Sequence, residues 1–207
     1  MPTAAARRYP SPRGPHRDGA DTKRRILTAA EDVVLRDGVV HLTLDAAAAE
    51  AGLSKGGVLY HFPSRDALVA AMVATIIDEF EAAIARHLPS VADEGSRAAG
   101  SFTRAYVSAT FEPGTAGTEG PCRQDRLGAA LIAAAAAEPE LLIPLRDAAE
   151  RWQARLEADG LDPVLASLVR LACDGLWLCD LFGLAPPSGA RRDTLGATLG
   201  RMARAPE

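Results

Sequence analysis

The residues Gly52-Leu53-Ser54-Lys55-Gly56 spell the G-x-S-x-G pattern of a hydrolase nucleophile elbow. That chemistry needs a strand delivering the serine to a sharp turn, with an acid and a histidine following from later loops. Here the stretch before the serine, AAAAEA, reads as helix, and the only later histidines are His61 and His87. A helical bundle can hold two irons, but only through repeated Glu-x-x-His pairs, and the chain has none. Cys122, Cys173 and Cys179 are odd in number and show no C-x-x-C spacing. They are expected to be buried free thiols in a reducing cytoplasm, neither a disulfide frame nor a zinc site. No phosphate-cradling glycine loop or dinucleotide fingerprint occurs. No catalytic residue, metal or cofactor is therefore expected.

The same serine and lysine suit recognition better than catalysis. Residues 43–62, TLDAAAAEAGLSKGGVLYHF, carry the offsets of a helix-turn-helix: a small residue where two short helices touch, a glycine in the turn, and apolar residues locking the second helix to the first. Ala48 is the small contact, Gly52 the turn, Leu53 a buried plug and Ser54 a cap, while Val58, Leu59 and Phe62 face inward. Gly56 and Gly57 each sacrifice about 1 kcal/mol of helix propensity. That cost is intelligible where a helix start must approach a groove closely and offer backbone N–H groups to phosphate. Lys55, Tyr60 and His61 are the long polar side chains left outward. Lysine and histidine can donate to guanine N7 or O6, each good contact discriminating by about 1–3 kcal/mol.

The elements that hold this pair are helical throughout. Asp21 or Thr22 caps a first helix with Ile26, Leu27, Ala30, Val33 and Val34 on one face, ended by Asp37 and a left-handed Gly38. A long helix over 64–88 repeats Leu68, Met72, Ile76, Phe80, Ile84 and Leu88 until Pro89. Further helices are expected over 95–111, up to 137, from Pro139 to about 160, from Pro163 (capped by Asp162) to 183, and from Ser188 onward. Residues 1–19 read as a disordered basic arm, in which Arg7, Arg8, Arg13 and Arg17 can add phosphate contacts. The expected organisation is all-α, with a DNA-binding helix-turn-helix domain over 20–66 and a separate helical domain over 67–207.

Residues 22–73, TKRRILTAAEDVVLRDGVVHLTLDAAAAEAGLSKGGVLYHFPSRDALVAAMV, closely resemble the N-terminal DNA-binding domain of TetR-type repressors. The resemblance covers about a quarter of the chain, and DGLWLCDLFGL (174–184) is similar to one C-terminal subclass. It implies phosphate contacts from Lys23, Thr43 and Arg65, and places Ser54, Lys55, Gly56, Gly57, Tyr60 and His61 in or beside the major groove. Many members carry tyrosine where this chain has Leu59, so the ring stands one place later, at Tyr60. The resemblance further implies a ligand cavity in the C-terminal half, with Phe102, Tyr106, Trp152 and Trp177 as expected wall residues. It also implies a homodimer through the last two helices, where Leu165, Leu168, Val169, Ala172, Leu195, Leu199 and Met202 offer apolar surface. Asp174 and Asp180 stand near Trp177 as ligand contacts, interface groups or a solvated edge.

The 207 residues are 48% hydrophobic and 24% charged with a formal charge of −4, ordinary for a globular protein. A compact DNA module needs only a local basic footprint, so this balance is compatible with operator DNA as partner. No apolar run is long enough for a bilayer, and the arginine-bearing N-terminus lacks the apolar core of a secretory signal. A cytoplasmic protein without membrane contact is expected. The function implied is a repressor released from a palindromic operator by a small-molecule effector. An activator of the same fold, and a ligand-binding helical protein whose helix-turn-helix is vestigial, stay open at this point.

Overall fold

A computed structural model describes residues 15–89, 98–112 and 122–204, and among them every regular element is helical. Helix α1 (Pro15–Asp37) starts earlier than the expected cap at Asp21 or Thr22, taking in residues assigned above to the arm. Pro15 fits a first turn, where its missing N–H is not needed, and one glycine at position 19 does not halt a helix whose later turns are packed. Residues 1–14 of that arm lie outside the described residues. Gly38 does take positive φ (89°), but with an extended ψ of 160°, so it is not the left-handed cap expected.

Helix α2 (Leu44–Ala51) is capped by Thr43, whose Oγ1 accepts from the Ala46 N–H at 3.0 Å. Gly52 is left-handed (φ 64°, ψ 39°), reversing the chain so that the Leu53 N–H reaches the Ala48 carbonyl at 2.9 Å. Ser54 caps α3 (Lys55–His61), its Oγ accepting from the Gly57 N–H at 3.1 Å. Ile26, Ala30, Val33, Ala47, Ala48, Val58 and Phe62 close the small core of α1–α3. Two inward assignments change. Leu53 is only half-buried, and Leu59 is 41% exposed, because an α-helix carries its buried face from Val58 to Phe62 and turns the intervening position aside.

Helix α4 (Arg65–His87) starts from Ser64, whose Oγ accepts from the Ala67 N–H. Of the expected stripe it buries Leu68, Met72 and Ile84 and leaves Ile76, Phe80 and Leu88 half-buried, while Val69, Val73 and Ile77 are buried besides. It is covered on two faces because α1 packs on one end and α5 (Ser101–Thr110) and α7 (Ile143–Glu157) on the other. The apolar core runs without interruption from α1 through α4 into the C-terminal helices. Helix α6 (Arg123–Ala135) leads through a 3-10 turn at Pro139–Leu142 into α7. Pro139 thus opens the turn, and Pro144 occupies the first turn of the helix proper. As expected, Asp162 caps α8 (Pro163–Phe182), accepting from the Leu165 N–H at 3.0 Å. Helix α9 (Ala190–Met202) begins two residues after Ser188.

The start of α5 is decided by tertiary contact. Residues 98–100 are not helical, and Gly100 (φ 80°) lies so close to the end of α9 that an added Cβ would meet the Ala203 carbonyl oxygen at 2.0 Å. Gly100 offers no capping side chain. The cap comes from Asp159, at the far end of α7, whose carboxylate accepts from the N–H groups of Phe102 (3.0 Å) and Thr103 (2.7 Å) and from the Thr103 hydroxyl (2.8 Å). Asp159→Ala is expected to cost about 2–3 kcal/mol of folding stability, since it removes a cap and strands buried donors. Urea titration followed by circular dichroism checks this; an unmoved midpoint would refute it.

Candidate nucleic-acid interface and ligand cavity

On the outer side of α2–α3 the capping hydroxyls of Thr43 and Ser54 each accept one backbone N–H, leaving their own O–H free to donate outward. Tyr60 is 86% exposed and His61 half-buried, their rings edge to face at 5.1 Å. Lys55 is exposed too, but its Nζ is held by Asp45 of α2 at 2.8 Å. Lys23 lies on α1 with its ammonium 5.7 Å from the Phe62 ring centroid. Gly56 and Gly57 sit in regular helix, and a Cβ at either would meet nothing nearer than the Ser54 Oγ at 3.9 and 3.5 Å. The fold itself therefore makes no demand for glycine at these two positions.

Arg65 differs from the expectation of a free phosphate contact. Its side chain is three-quarters buried, the guanidinium donating to Glu138 at 2.8 Å and to the Val39 carbonyl at 3.3 Å. A second bridge joins the same two parts of the molecule: Arg123, at the start of α6, meets Glu31 at 3.2 Å and Asp32 at 2.8 Å on α1. Both ends of the α6 segment are thus tied by charge to the helix-turn-helix framework. Neither bridge was legible from spacing, because the partners are 73 and more than 90 residues apart.

Helix α6 also lines a cavity of about 760 Å³ enclosed with α4, α5, α7 and α8. Tyr106, Trp152 and Trp177 stand on its wall with Phe80. Phe102 does not: it is buried in the core, its ring under the Arg155 guanidinium at 3.9 Å, one face of α5 away from Tyr106. Phe80 makes edge-to-face contacts with both Tyr106 (5.0 Å) and Trp152 (5.2 Å). The Tyr106 hydroxyl donates to Asp174 at 2.7 Å, and Arg170 holds the other oxygen of that carboxylate at 3.0 Å. Burial, then the adjacent Asp174 charge, push the phenol far above its usual range, so it stays a proton donor. Asp180 is clamped by both Nη atoms of Arg192, at 3.0 and 2.9 Å. Of the three thiols only Cys173 is buried; desolvation pushes it up to about 12.

Residues 100–204 match the family model described as tetracyclin repressor-like, C-terminal domain, and residues 26–72 match the bacterial regulatory proteins of the tetR family. The chain belongs to the TetR family. This TetR-family protein is a DNA-binding transcriptional regulator by its fold, a helix-turn-helix domain followed by a helical C-terminal domain. Among solved structures it is similar to a TetR-family member from Streptomyces coelicolor A3, 25% identical with a TM-score of 0.62 over 88% of this chain and 98% of that one. It is also similar to the multidrug binding protein EbrR complexed with malachite green, at 26% identity and a TM-score of 0.63 over 87% and 96% of the two chains. A transcriptional regulator from Streptomyces coelicolor A3(2), 22% identical with a TM-score of 0.63 over 89% and 99%, shares the fold. No match is found among curated proteins.

The TetR-family chain also exposes an apolar stripe along α8. Val164, Leu168, Leu171, Leu178 and Phe182 follow one another at spacings of three, four and seven, each 39–67% exposed, with Met202 of α9 at 38%. This stripe is not the set expected from sequence. Leu168 and Met202 belong to it, but Val169 and Leu199 are buried in the chain's own core, and Leu165, Ala172 and Leu195 are half-buried. No helix among the described residues is long and apolar enough to cross a membrane.

Proposed function

We propose that this regulator is a homodimeric repressor that reads a palindromic operator with α3 and leaves it when a small molecule fills the C-terminal cavity. The observation that carries this reading is the cavity's position: α4 and α6 form its wall, both are packed on α1 of the helix-turn-helix domain, and α6 is ion-paired to it through Arg123. A ligand that prefers one arrangement of those helices changes the spacing of two recognition helices, by a coupling that is typically 1–3 kcal/mol. That EbrR has been crystallised with malachite green, ethidium and proflavin supports a cavity for bulky organic molecules in this fold. The domain division we adopt stays at 20–66 and 67–207, with α4 as the shared strut.

In this reading Thr43 and Ser54 donate their free hydroxyl protons to phosphates, and Lys23 adds a phosphate contact. Gly56 and Gly57 allow close approach, and Lys55, Tyr60 and His61 face base edges. Arg65, committed to Glu138, serves the link between domains. The α8 stripe is the dimer surface, since about 1.5–3 kcal/mol attends full burial of each such side chain and a second copy supplies the matching stripe. Gel shift against duplexes selected from a random pool tests the whole reading: no retarded complex at low salt would overturn it.

Two further expectations arise here. Lys55 must leave Asp45 to meet DNA, so Asp45→Ala is expected to tighten operator binding by roughly three- to tenfold, by freeing the ammonium and removing a carboxylate from the phosphate-facing side. Lys55→Ala is expected to weaken it by a similar factor or more, and fluorescence anisotropy across a salt series checks both. The paired substitutions Arg123→Gln and Glu138→Gln remove the two bridges of α6. Each bridge joins an exposed partner to a largely buried one, Arg65 or Glu31, so the double variant is expected to lose about 1–3 kcal/mol per bridge at most and still to fold. Operator affinity is expected to stay within about threefold while release by an effector loses most of its coupling. An unchanged effector response would show that packing alone transmits the signal.

A further inference from the structure

We infer that the cavity selects a largely apolar, aromatic molecule carrying a positive charge, seated with its cationic end against Glu79 and Gln124 between α4 and α6. This rests on the reading of the cavity as the effector site and names the class of effector. Five carboxylates stand on the wall, Glu79, Glu112, Asp125, Asp174 and Asp180, against two guanidiniums, Arg86 and Arg170. Both guanidiniums are engaged, Arg86 with Glu112 at 2.6 Å and Arg170 with Asp174 at 3.0 Å, while Asp180 is held from outside by Arg192. Among the described residues this leaves Glu79 and Asp125 without a cation at ion-pair distance and leaves no wall cation to receive an anion.

The hydrogen bonding at that end has the same sense. Gln124 turns its amide N–H group to both oxygens of Glu79, at 2.8 and 2.9 Å. Its carbonyl oxygen is thereby left buried with no donor among the described residues. The neighbouring Asp125 carboxylate is itself an acceptor, taken up by the Cys122 N–H at 2.9 Å. A buried acceptor without a donor is unfavourable, and a donor on the ligand relieves it. Glu79 and Gln124 also border a second cleft, whose cations are Lys23, its ammonium 5.7 Å from the Phe62 ring centroid, and Arg24, paired with Asp21 at 2.9 Å; neither stands at ion-pair distance from Glu79. The remaining wall is apolar and chiefly aliphatic, and Phe80, Tyr106, Trp152 and Trp177 set four aromatic rings into it that can attract a cation and cover a flat apolar body. An anion would be desolvated beside two carboxylates with nothing to pair with.

The chain has two tryptophans, and both are on the wall, so quenching of intrinsic emission reads occupancy directly. Three probes of one ring system separate charge from shape: 10-methylacridinium, neutral acridine at mildly alkaline pH, and acridine-9-carboxylate. The cation is expected to bind about tenfold or more tighter than neutral acridine, and the carboxylate weakest, as one charge-assisted hydrogen bond or ion pair implies. Glu79→Gln, at an exposed position, is expected to remove most of the cation's advantage while leaving acridine within about twofold. Gln124→Lys, which sets an ammonium beside Glu79, is expected to abolish the preference. Equal affinity for the three probes, a preference for the carboxylate, or equal loss of acridine and methylacridinium in Glu79→Gln would overturn the charge selection while keeping the effector site. Unchanged emission with all three would overturn the effector site and the selection together.

Discussion

Leu171→Glu is expected to turn the dimer into a folded monomer and to weaken operator binding by more than about a hundredfold. Leu171 sits near the middle of the α8 stripe and is 61% exposed in the single chain, so its own fold makes little use of it. In the proposed dimer both chains bury this stripe, so two glutamates would be placed where apolar surface is removed from water. The like charges and their desolvation oppose association directly. The loss on DNA is large because a dimer engages its second half-site at high effective concentration, an advantage on the order of 10²–10⁴ that a monomer forfeits. Sedimentation equilibrium gives the mass, circular dichroism the fold, and anisotropy on a selected operator the affinity. A variant that stays dimeric would move the interface elsewhere, and a monomer that binds as tightly as wild type would contradict the paired-helix reading.

The double substitution Gly56→Ala, Gly57→Ala is expected to separate stability from function in opposite directions. Neither glycine has positive φ, and a Cβ at either finds ordinary contact or open space. Each replacement should therefore raise helix propensity by up to about 1 kcal/mol. If the bare backbone exists to bring α3 against the groove, two methyl groups at its start hold the helix off the duplex. Operator affinity should then fall by roughly tenfold or more while the unfolding midpoint rises. Thermal melts and anisotropy on one preparation read both effects. A protein stabilised with undiminished affinity would show that the groove does not need these glycines.

The helix-turn-helix was legible in the sequence because its determinants are local. Thr43, Gly52 and Ser54 act on backbone groups within a few residues of themselves, and Ala48, Val58 and Phe62 are spaced by a single helical period. The same locality explains Asp162 and Pro163 at the head of α8. Errors came where a position was judged by type alone. Leu59, Val169 and Leu199 are equally apolar, yet the first is exposed and the other two are in the chain's core.

Short-range spacing thus determined the class of this protein and the caps of α2, α3 and α8, since backbone geometry there answers to neighbours a turn away. Only the tertiary structure decided that Asp159 caps a helix more than fifty residues upstream, that Arg65 turns to Glu138, and that Phe102 lies behind the cavity wall. It alone also set the Gln124 carbonyl oxygen, without a donor among the described residues, beside Glu79. These are pairings between groups distant in sequence, fixed by how whole helices stack, and no periodicity within one helix carries that information.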